Sequence, residues 1–281
     1  MPDGRTTARA ALLILTLAVI AAAALNRIPP AEQQPVPSSS AAPAGTVASA
    51  PLDPADLSET GRAAAGLPRL HSLLVSLRGE LILEHYARGF GASRLANIKS
   101  ASKSIVSALV GIAIERGHIK GVHEPISAYF PELRRDPDPR KAAITIEDLL
   151  TMRSGLESTS GRNYGAWIRS RNWVRYALER PMIADPGTSM EYSTGSTHLL
   201  SAILSKATKM TTWQFARSAL MKPLGVTLAS WTRDPQGIFM GGNEMLMTPR
   251  QMLAFGEMYR NGGRVSGRQI LSKNFIDETF E

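Results

Sequence analysis

Residues 97–111 read NIKSASKSIVSALVG, and the interpretation of the whole chain starts from this stretch. Three serines (Ser100, Ser102 and Ser104) and two lysines lead directly into an aliphatic run. This run predicts a helix, which should end at residues 115–117, where Glu-Arg is followed by glycine. A helix that is apolar on most sides is usually buried. The apolar residues that cover this one are Ile105, Val106, Leu109, Val110, Ile112, Ala113 and Ile114.

A β-hairpin is predicted just before this helix. Residues 71–89, HSLLVSLRGELILEHYARG, hold two apolar runs on either side of Arg78-Gly79. After the helix, further segments have helical spacing, and several of them stop at Gly or Pro. These elements predict an α+β fold in which helices pack on an antiparallel sheet. The segments are 144–156, 172–181, 196–208, 212–225 and 248–263.

The N-terminal part differs in composition from the rest of the chain. Arg5 and Arg9 precede an apolar run at 10–25, so residues 1–27 are predicted to be a signal peptide or a retained membrane anchor. Residues 28–60 are rich in Pro, Ala and Ser and predict a disordered linker. The folded domain is expected at 61–281. These features, with a chain that lacks cysteine, predict a periplasmic or secreted protein, or one anchored to the inner membrane by residues 10–25.

Composition and motif searches exclude several classes of function. The net charge is +8 over 281 residues, but the basic residues are scattered and do not interleave with aromatic ones, so nucleic-acid binding is not expected. The chain has no phosphate-binding loop, no zinc-binding H-E-x-x-H helix and no G-x-S-x-G turn. Neither a metal nor an organic cofactor is therefore expected. Nothing in the sequence specifies an oligomeric state.

Ser100 and Lys103 form the only S-x-x-K motif in the chain. A helix places residues three apart on one face, with their Cβ atoms roughly 5–6 Å apart, so the amine can reach the hydroxyl. A serine hydroxyl becomes a nucleophile when a neighbouring base removes its proton, and a lysine is a base only where its ammonium form is disfavoured. Burial disfavours the ammonium, and so does the positive end of a helix. Ser102 and Ser104 have no lysine three positions later and are interpreted as caps or local hydrogen-bond partners.

Four blocks of the sequence, taken in chain order, resemble the β-lactamase-related serine hydrolases. Within that group the resemblance is greatest to the class C-like esterases and 6-aminohexanoate-dimer hydrolases. The resemblance implies a β-lactamase/transpeptidase-like fold, with an antiparallel sheet flanked by helices and a mainly helical subdomain. The blocks are S-A-S-K at 100–103, ITIEDLLTMRSGLE at 144–157, PGTSMEYSTGSTHLLSAIL at 186–204, and the segment from WTRDPQG to RQIL at 231–271.

The resemblance assigns three catalytic roles. Ser100 is the acylated nucleophile, Lys103 its base partner, and Tyr192 the tyrosine that passes a proton to the leaving group. Thr194 stands where lactamases carry an asparagine, and this departure favours an esterase or amidase. A literal Y-x-N at 259–261 ends an amphipathic helix and is better explained as its C-terminal cap.

Further side chains are candidates for contact with the substrate. Thr194 is one, from its place in the motif. Tyr164 is a second, with an exposed loop tyrosine as the equally favoured alternative. Trp167 and Trp231 are pocket candidates as well, although a tryptophan in a helical protein belongs more often to the core.

The family's third motif, K-T-G or H-x-G on a strand, does not occur before the sequence ends at SKNFIDETFE. That strand is expected to supply a second backbone donor to the oxyanion, and losing one such donor costs about 10²–10³ in rate. The chain is therefore expected to be C-terminally incomplete. Without the missing strands, the hairpin at 71–89 would expose an unpaired edge and an apolar face.

The predicted function is that of a serine hydrolase which forms an acyl-enzyme and acts on small-molecule esters or short amides. One alternative within this class is a D-amino-acid peptidase or a weak β-lactamase. An alternative of another class is a noncatalytic envelope sensor or binding module, which the missing third motif would favour and the pairing of Lys103 with Tyr192 opposes.

Overall fold

The computed structural model describes residues 54–280, with side chains from residue 57 onward. Helices dominate this part of the chain, and the strands form three separate two-stranded antiparallel sheets. The helices are α1 Pro54–Ala65, α2 Ser102–Glu115, α3 Arg140–Ala143, α4 Ile146–Leu150, α5 Tyr164–Arg169, α6 Trp173–Leu178, α7 Thr194–Thr208, α8 Thr212–Ala216, α9 Pro249–Arg260 and α10 Lys273–Phe280. The strands are β1 Ser72–Leu77, β2 Glu80–Tyr86, β3 Ala96–Asn97, β4 Leu246–Met247, β5 Arg264–Val265 and β6 Arg268–Gln269.

The predicted hairpin is confirmed. Strands β1 and β2 pair in antiparallel register, from Ser72 opposite Tyr86 to Leu77 opposite Glu80. Arg78 and Gly79 between them both have positive φ, at 54° and 91°, as a tight two-residue hairpin turn requires. Helix α9 packs against β1 and α1 packs against β2. The described residues add no third strand to this sheet, so the larger sheet expected from the resemblance is not seen in them.

Helix α1 corrects one predicted boundary. Residues 54–60, assigned to the disordered linker by composition, begin this helix, and Gly61 on its next turn lies near Leu83 of β2. Packing against the hairpin supplies stability that composition does not reveal. The predicted signal peptide or anchor and the rest of the linker lie outside the described residues. Among residues 54–280, no helix is both long and apolar enough to cross a bilayer.

The predicted buried helix is confirmed and lies at the centre of the core. Its aliphatic residues from Ile105 to Ala113 are at most 1% exposed. Helix α2 ends at Glu115, and Gly117 then takes a positive φ of 72° that favours glycine. Helix α7 packs against α2, α4 and α6 and is buried along most of its length. The two long helices thereby hold their N-terminal turns in fixed relative positions.

Leu109→Ala should lower the free energy of unfolding by about 2–5 kcal/mol, because the substitution leaves a cavity in the centre of a close-packed core. The Leu109 side chain is fully buried, whereas Leu95 is 44% exposed. Leu95→Ala is therefore the matched control and should cost less than about 1 kcal/mol. Urea unfolding followed by circular dichroism measures both values. Equal values for the two variants would contradict the central place of α2 in the core.

Candidate active site

Ser100 and Lys103 lie at the start of the central helix. Ser100 belongs to a 3₁₀ turn, Lys99–Ala101, that runs directly into α2, and its side chain is exposed. The Lys103 Nζ lies 3.2 Å from the Ser100 Oγ. The spacing predicted from the S-x-x-K motif thus places the amine within hydrogen-bond distance of the hydroxyl.

The backbone just before Ser100 is held in an unusual conformation. Lys99 has a φ of 51°, in the left-handed region that non-glycine residues rarely adopt. Its N–H donates to the Asn97 Oδ1 at 2.8 Å, and its carbonyl accepts from the Ser102 hydroxyl at 2.7 Å. Ser102 is thus a local hydrogen-bond partner, as predicted, but it does not cap α2, whose N-cap is Ala101. Strained residues of this kind are frequent at functional sites.

The Lys103 amine lies among oxygen atoms, close to the ring of Tyr192. It donates to the Gly242 carbonyl at 2.7 Å and lies 3.5 Å from the Thr194 hydroxyl. Burial lowers the pKa of Lys103 because the ammonium form loses hydration, while the nearby phenol of Tyr192 opposes this shift. The Tyr192 ring centroid lies 5.0 Å from Nζ. A lowered pKa is what a lysine needs in order to act as a base.

The three oxygen contacts of Lys103 can be met in either protonation state, because an ammonium donates to all three oxygens. A neutral amine has two N–H groups and one lone pair. The Gly242 carbonyl and the Thr194 hydroxyl accept the two protons, and the lone pair is then left for the Ser100 hydroxyl. In this arrangement the serine donates its proton to the amine. When Lys103 is neutral, its contacts with Gly242 and Thr194 therefore leave the lone pair directed at Ser100.

Three consecutive hydroxyl residues, 158–160, tie the segment that carries Tyr192 and Thr194 to the rest of the site. The Ser158 hydroxyl donates to the Tyr192 carbonyl at 2.6 Å. The Ser160 Oγ accepts from the Thr194 N–H at 2.9 Å and lies 3.0 Å from the Thr194 hydroxyl. Thr159 Oγ1 accepts from the Gly195 N–H at 2.7 Å. These bonds fix the start of α7 and direct Thr194 toward Lys103.

The other predicted site residues have different outcomes. Tyr192 is 44% exposed beside Lys103, and Thr194 contacts the same amine; their catalytic and substrate-binding roles stay predictions. Tyr164 packs edge-on against Trp167 at 5.7 Å, and its role also stays a prediction.

The prediction that Trp167 lines the substrate pocket is wrong, because its side chain is fully buried and its Nε1 donates to the Trp173 carbonyl at 3.0 Å. Trp231 is 5% exposed and likewise belongs to the core.

Two cavities adjoin the site. One, of about 320 Å³, lies beside Tyr192 and has a mixed wall that includes Ser158, Ser160 and Asn163 as well as Glu157, Arg162 and Glu191. The other, of about 390 Å³, reaches Lys103 from the side of Phe255 and is mostly apolar. Within residues 54–280, no group of three or more His, Asp or Glu side chains is placed to hold a metal ion.

Sequence reasoning missed the Gly242 carbonyl and the hydroxyl segment 158–160. Gly242 lies 139 positions from Lys103, and Ser160 lies 34 positions from Thr194, so no local spacing relates the members of either pair. The sequence contains one indication of each feature. The Gly-Gly pair at 241–242, within the last matching block, indicates a close backbone approach, and the run of three hydroxyl residues just before Gly161 indicates a polar segment.

Comparison with known proteins gives one family and several relatives. The family described as beta-lactamase matches residues 69–275. A 6-aminohexanoate-dimer hydrolase from Paenarthrobacter ureafaciens is 25% identical over 220 residues, which is 73% of this chain and 55% of the relative. The chain thus spans just over half the length of that curated relative.

Solved structures support the fold. A D-amino acid amidase from Ochrobactrum anthropi is 21% identical with a TM-score of 0.59, over 79% of this chain and 72% of the amidase. EstCE1, a hydrolase with promiscuous acyltransferase activity, is 15% identical with a TM-score of 0.63, over 79% and 76% of the two chains. The fold is therefore β-lactamase/transpeptidase-like. Because the family match extends over most of the chain and includes the Ser100–Lys103 pair, the chain belongs to the beta-lactamase family of serine hydrolases.

Proposed function

We propose that the chain hydrolyses small-molecule esters or short amides through an acyl-enzyme on Ser100. The observation that carries this proposal is the position of the Lys103 amine, 3.2 Å from the Ser100 hydroxyl, with a pKa lowered by burial. Burial favours the neutral amine, which can accept a proton, so the serine can be activated without a histidine. The 3₁₀ turn and α2 add a helix N-terminus beside the oxygen that becomes negative during attack.

The reaction proceeds in two halves. The Ser100 Oγ bonds to the carbonyl carbon as its proton passes to the Lys103 amine. The tetrahedral intermediate then expels an alcohol or amine, which receives a proton through the Tyr192 phenol, and the acyl group remains on Ser100. Water attacks this ester in the second half, gives its proton to the same groups, and releases the carboxylic acid with a free serine. Both halves are acyl transfers, because the acyl group moves first to the Ser100 Oγ and then to water. No atom changes its oxidation state, so no redox partner is needed.

The proposed substrate class follows from the polar groups near the nucleophile. Thr194 offers a short hydroxyl beside Lys103, and the cavity near Tyr192 is lined by hydroxyl and amide groups together with the charged side chains of Glu157, Arg162 and Glu191. The carbonyl and N–H groups of an ester or amide backbone can hydrogen-bond to the hydroxyl and amide groups of this wall. The relatives support the same class, since one is named for the 6-aminohexanoate dimer and another for D-amino acid amides. A linear amide of modest length is therefore the proposed amide substrate.

A fluorophosphonate probe should add covalently to Ser100 of the purified full chain, because such probes label serines whose hydroxyl is activated by a neighbouring base. Intact mass spectrometry measures one adduct per chain, and peptide mapping locates it. Ser104→Ala is the matched control: Ser104 is exposed in the first turn of α2, just after Ser100, but has no lysine three positions later, so this variant should label normally. Absence of an adduct on a folded chain, or labelling at another serine, would contradict the proposed function.

A further inference from the structure

A histidine and an aspartate form a fully buried pair behind the site. His198, on α7, has its Nε2 at 3.1 Å from the Asp234 Oδ2, and neither side chain is exposed. The Asp234 Oδ1 accepts two further bonds, from the backbone N–H groups of residues 236 and 238, both at 2.8 Å. The indole rings of Trp167 and Trp173 enclose the imidazole at 5.7 and 5.5 Å. The ring therefore has one orientation and no contact with bulk water.

The second ring nitrogen of His198 faces the loop that contacts Lys103. The Gly241 N–H donates to the His198 Nδ1 over a long distance of 3.5 Å. A carboxylate only accepts hydrogen bonds, so the nitrogen that faces Asp234 must carry a proton. A neutral imidazole then has Nδ1 free as an acceptor, which is what the Gly241 N–H requires. Asp234 thus selects the tautomer that can hold the loop.

The Gly241–Gly242 backbone lies directly on α7, where no side chain would fit. A Cβ atom at Gly241 would lie 1.9 Å from the Thr197 carbonyl oxygen. One at Gly242 would lie 2.5 Å from the Thr197 Oγ1 and 3.0 Å from the Lys103 Nζ. Glycine allows this close approach, but it supplies no side chain to hold the loop in place and leaves the backbone more conformational freedom. The loop must therefore be held by bonds to its backbone.

The buried pair and one tryptophan provide these bonds. The Trp231 Nε1 donates to the carbonyls of Met240 and Asn243, at 2.8 and 3.3 Å, on either side of the two glycines. His198 accepts from the N–H of Gly241 between them. The Gly242 carbonyl, in the same loop, accepts the shortest of the three hydrogen bonds made by the Lys103 amine.

We propose that His198 and Asp234 are positioning residues for the reaction at Ser100. They hold the Gly241–Gly242 backbone, and the Gly242 carbonyl then orients the Lys103 amine toward the serine. This inference rests on the proposed function. Buried polar groups are costly unless all their bonds are made, and this pair makes its bonds toward the loop. Neither residue touches the substrate; both act through the loop and Lys103.

Asp234→Asn tests the role while keeping the shape of the side chain. Two backbone N–H groups face the Oδ1 position, so the asparagine must place its oxygen there and its NH₂ group toward His198. The His198 Nε2 must then accept, and the ring proton moves to Nδ1. Two N–H groups would face each other between His198 and Gly241, and the loop would lose that bond.

The measurement is the rate constant for fluorophosphonate labelling of Ser100, taken separately from the fraction of chains that label. We expect Asp234→Asn to lower the rate constant about 10- to 100-fold, because a small displacement of a reacting group has an effect of that order. A merely structural defect would lower the labelled fraction and leave the rate constant of the folded chains unchanged. Thr208→Val is the matched control, since it removes a buried hydroxyl bond at the far end of α7. It should keep the wild-type rate constant.

A second measurement needs no variant. Nitrogen chemical shifts of the His198 ring in the wild-type chain should show a proton on Nε2 and none on Nδ1 at neutral pH. The opposite tautomer, or an equal labelling rate constant for Asp234→Asn, would overturn the positioning role alone. A folded wild-type chain that does not label at Ser100 would instead contradict the proposed function itself.

Discussion

Ser100→Ala should abolish ester hydrolysis, lowering kcat/KM for a p-nitrophenyl ester by at least about 10⁴-fold. The reason is that the acyl-enzyme cannot form without the Oγ atom, and loss of a serine nucleophile in comparable enzymes costs about 10⁶ in kcat. The exposed Ser100 side chain contributes little to packing, so the variant should keep the wild-type melting temperature. Steady-state kinetics on the purified full chain, with thermal unfolding of the same samples, measures both quantities.

The neighbouring serines make this prediction specific. Ser104→Ala removes an exposed hydroxyl in the first turn of α2, four positions after Ser100, and should leave kcat/KM within about threefold of wild type. Ser102 is unsuitable as a control, because it is fully buried and its hydroxyl bond to the Lys99 carbonyl supports the strained turn before the nucleophile. Normal turnover by Ser100→Ala would show that another group attacks the substrate, and the acyl-enzyme proposal would fail.

The parts of the fold that sequence predicts are those whose causes are local. The hairpin follows from the two apolar runs on either side of Arg78-Gly79, and both residues have the positive φ that the turn needs. The buried character of α2 follows from apolar residues on nearly every face. The S-x-x-K pair is local as well, since one helical turn brings Lys103 to Ser100. Each of these depends on residues only a few positions apart.

The contacts that sequence reasoning missed join distant segments. Lys103 contacts Gly242, and Gly241 contacts His198, only because α2, α7 and the loop at residues 240–243 pack together. The wrong assignment of Trp167 has a similar cause. A tryptophan near a motif has an aromatic face and an N–H donor wherever it lies, and only packing shows that both are used inside the core.

Helix α1 shows the limit of composition as a guide. Composition predicts that the linker ends at residue 60, because Pro, Ala and Ser dominate the preceding sequence. Yet the residues from Pro54 onward form a helix whose Ala64 is buried, and this helix packs on β2. A short amphipathic segment gains its stability from the surface it packs on, so composition alone cannot locate its start.

Lys103→Met should lower kcat/KM for the same ester by about 10²–10⁴-fold, which is the usual contribution of a positioned general base. Methionine has a similar length and removes the amine without leaving a large void. Lys99→Met is the matched control, because Lys99 is exposed, lies four positions before Lys103 and undergoes the same side-chain replacement. Its kcat/KM should stay within about threefold of wild type, since the bonds around Lys99 come from its backbone rather than its side chain.

The pH profile separates the base from a merely structural lysine. Only the neutral amine accepts the serine proton, so activity should rise with pH as Lys103 loses its own proton. Burial lowers the pKa of Lys103, which moves this acidic limb of the kcat/KM profile to a lower pH than an ordinary lysine would give. The limb should persist in Lys99→Met and disappear in Lys103→Met. A Lys103→Met variant that kept both the limb and wild-type kcat/KM would assign the proton to another group, and Lys103 would then only fill space beside Ser100.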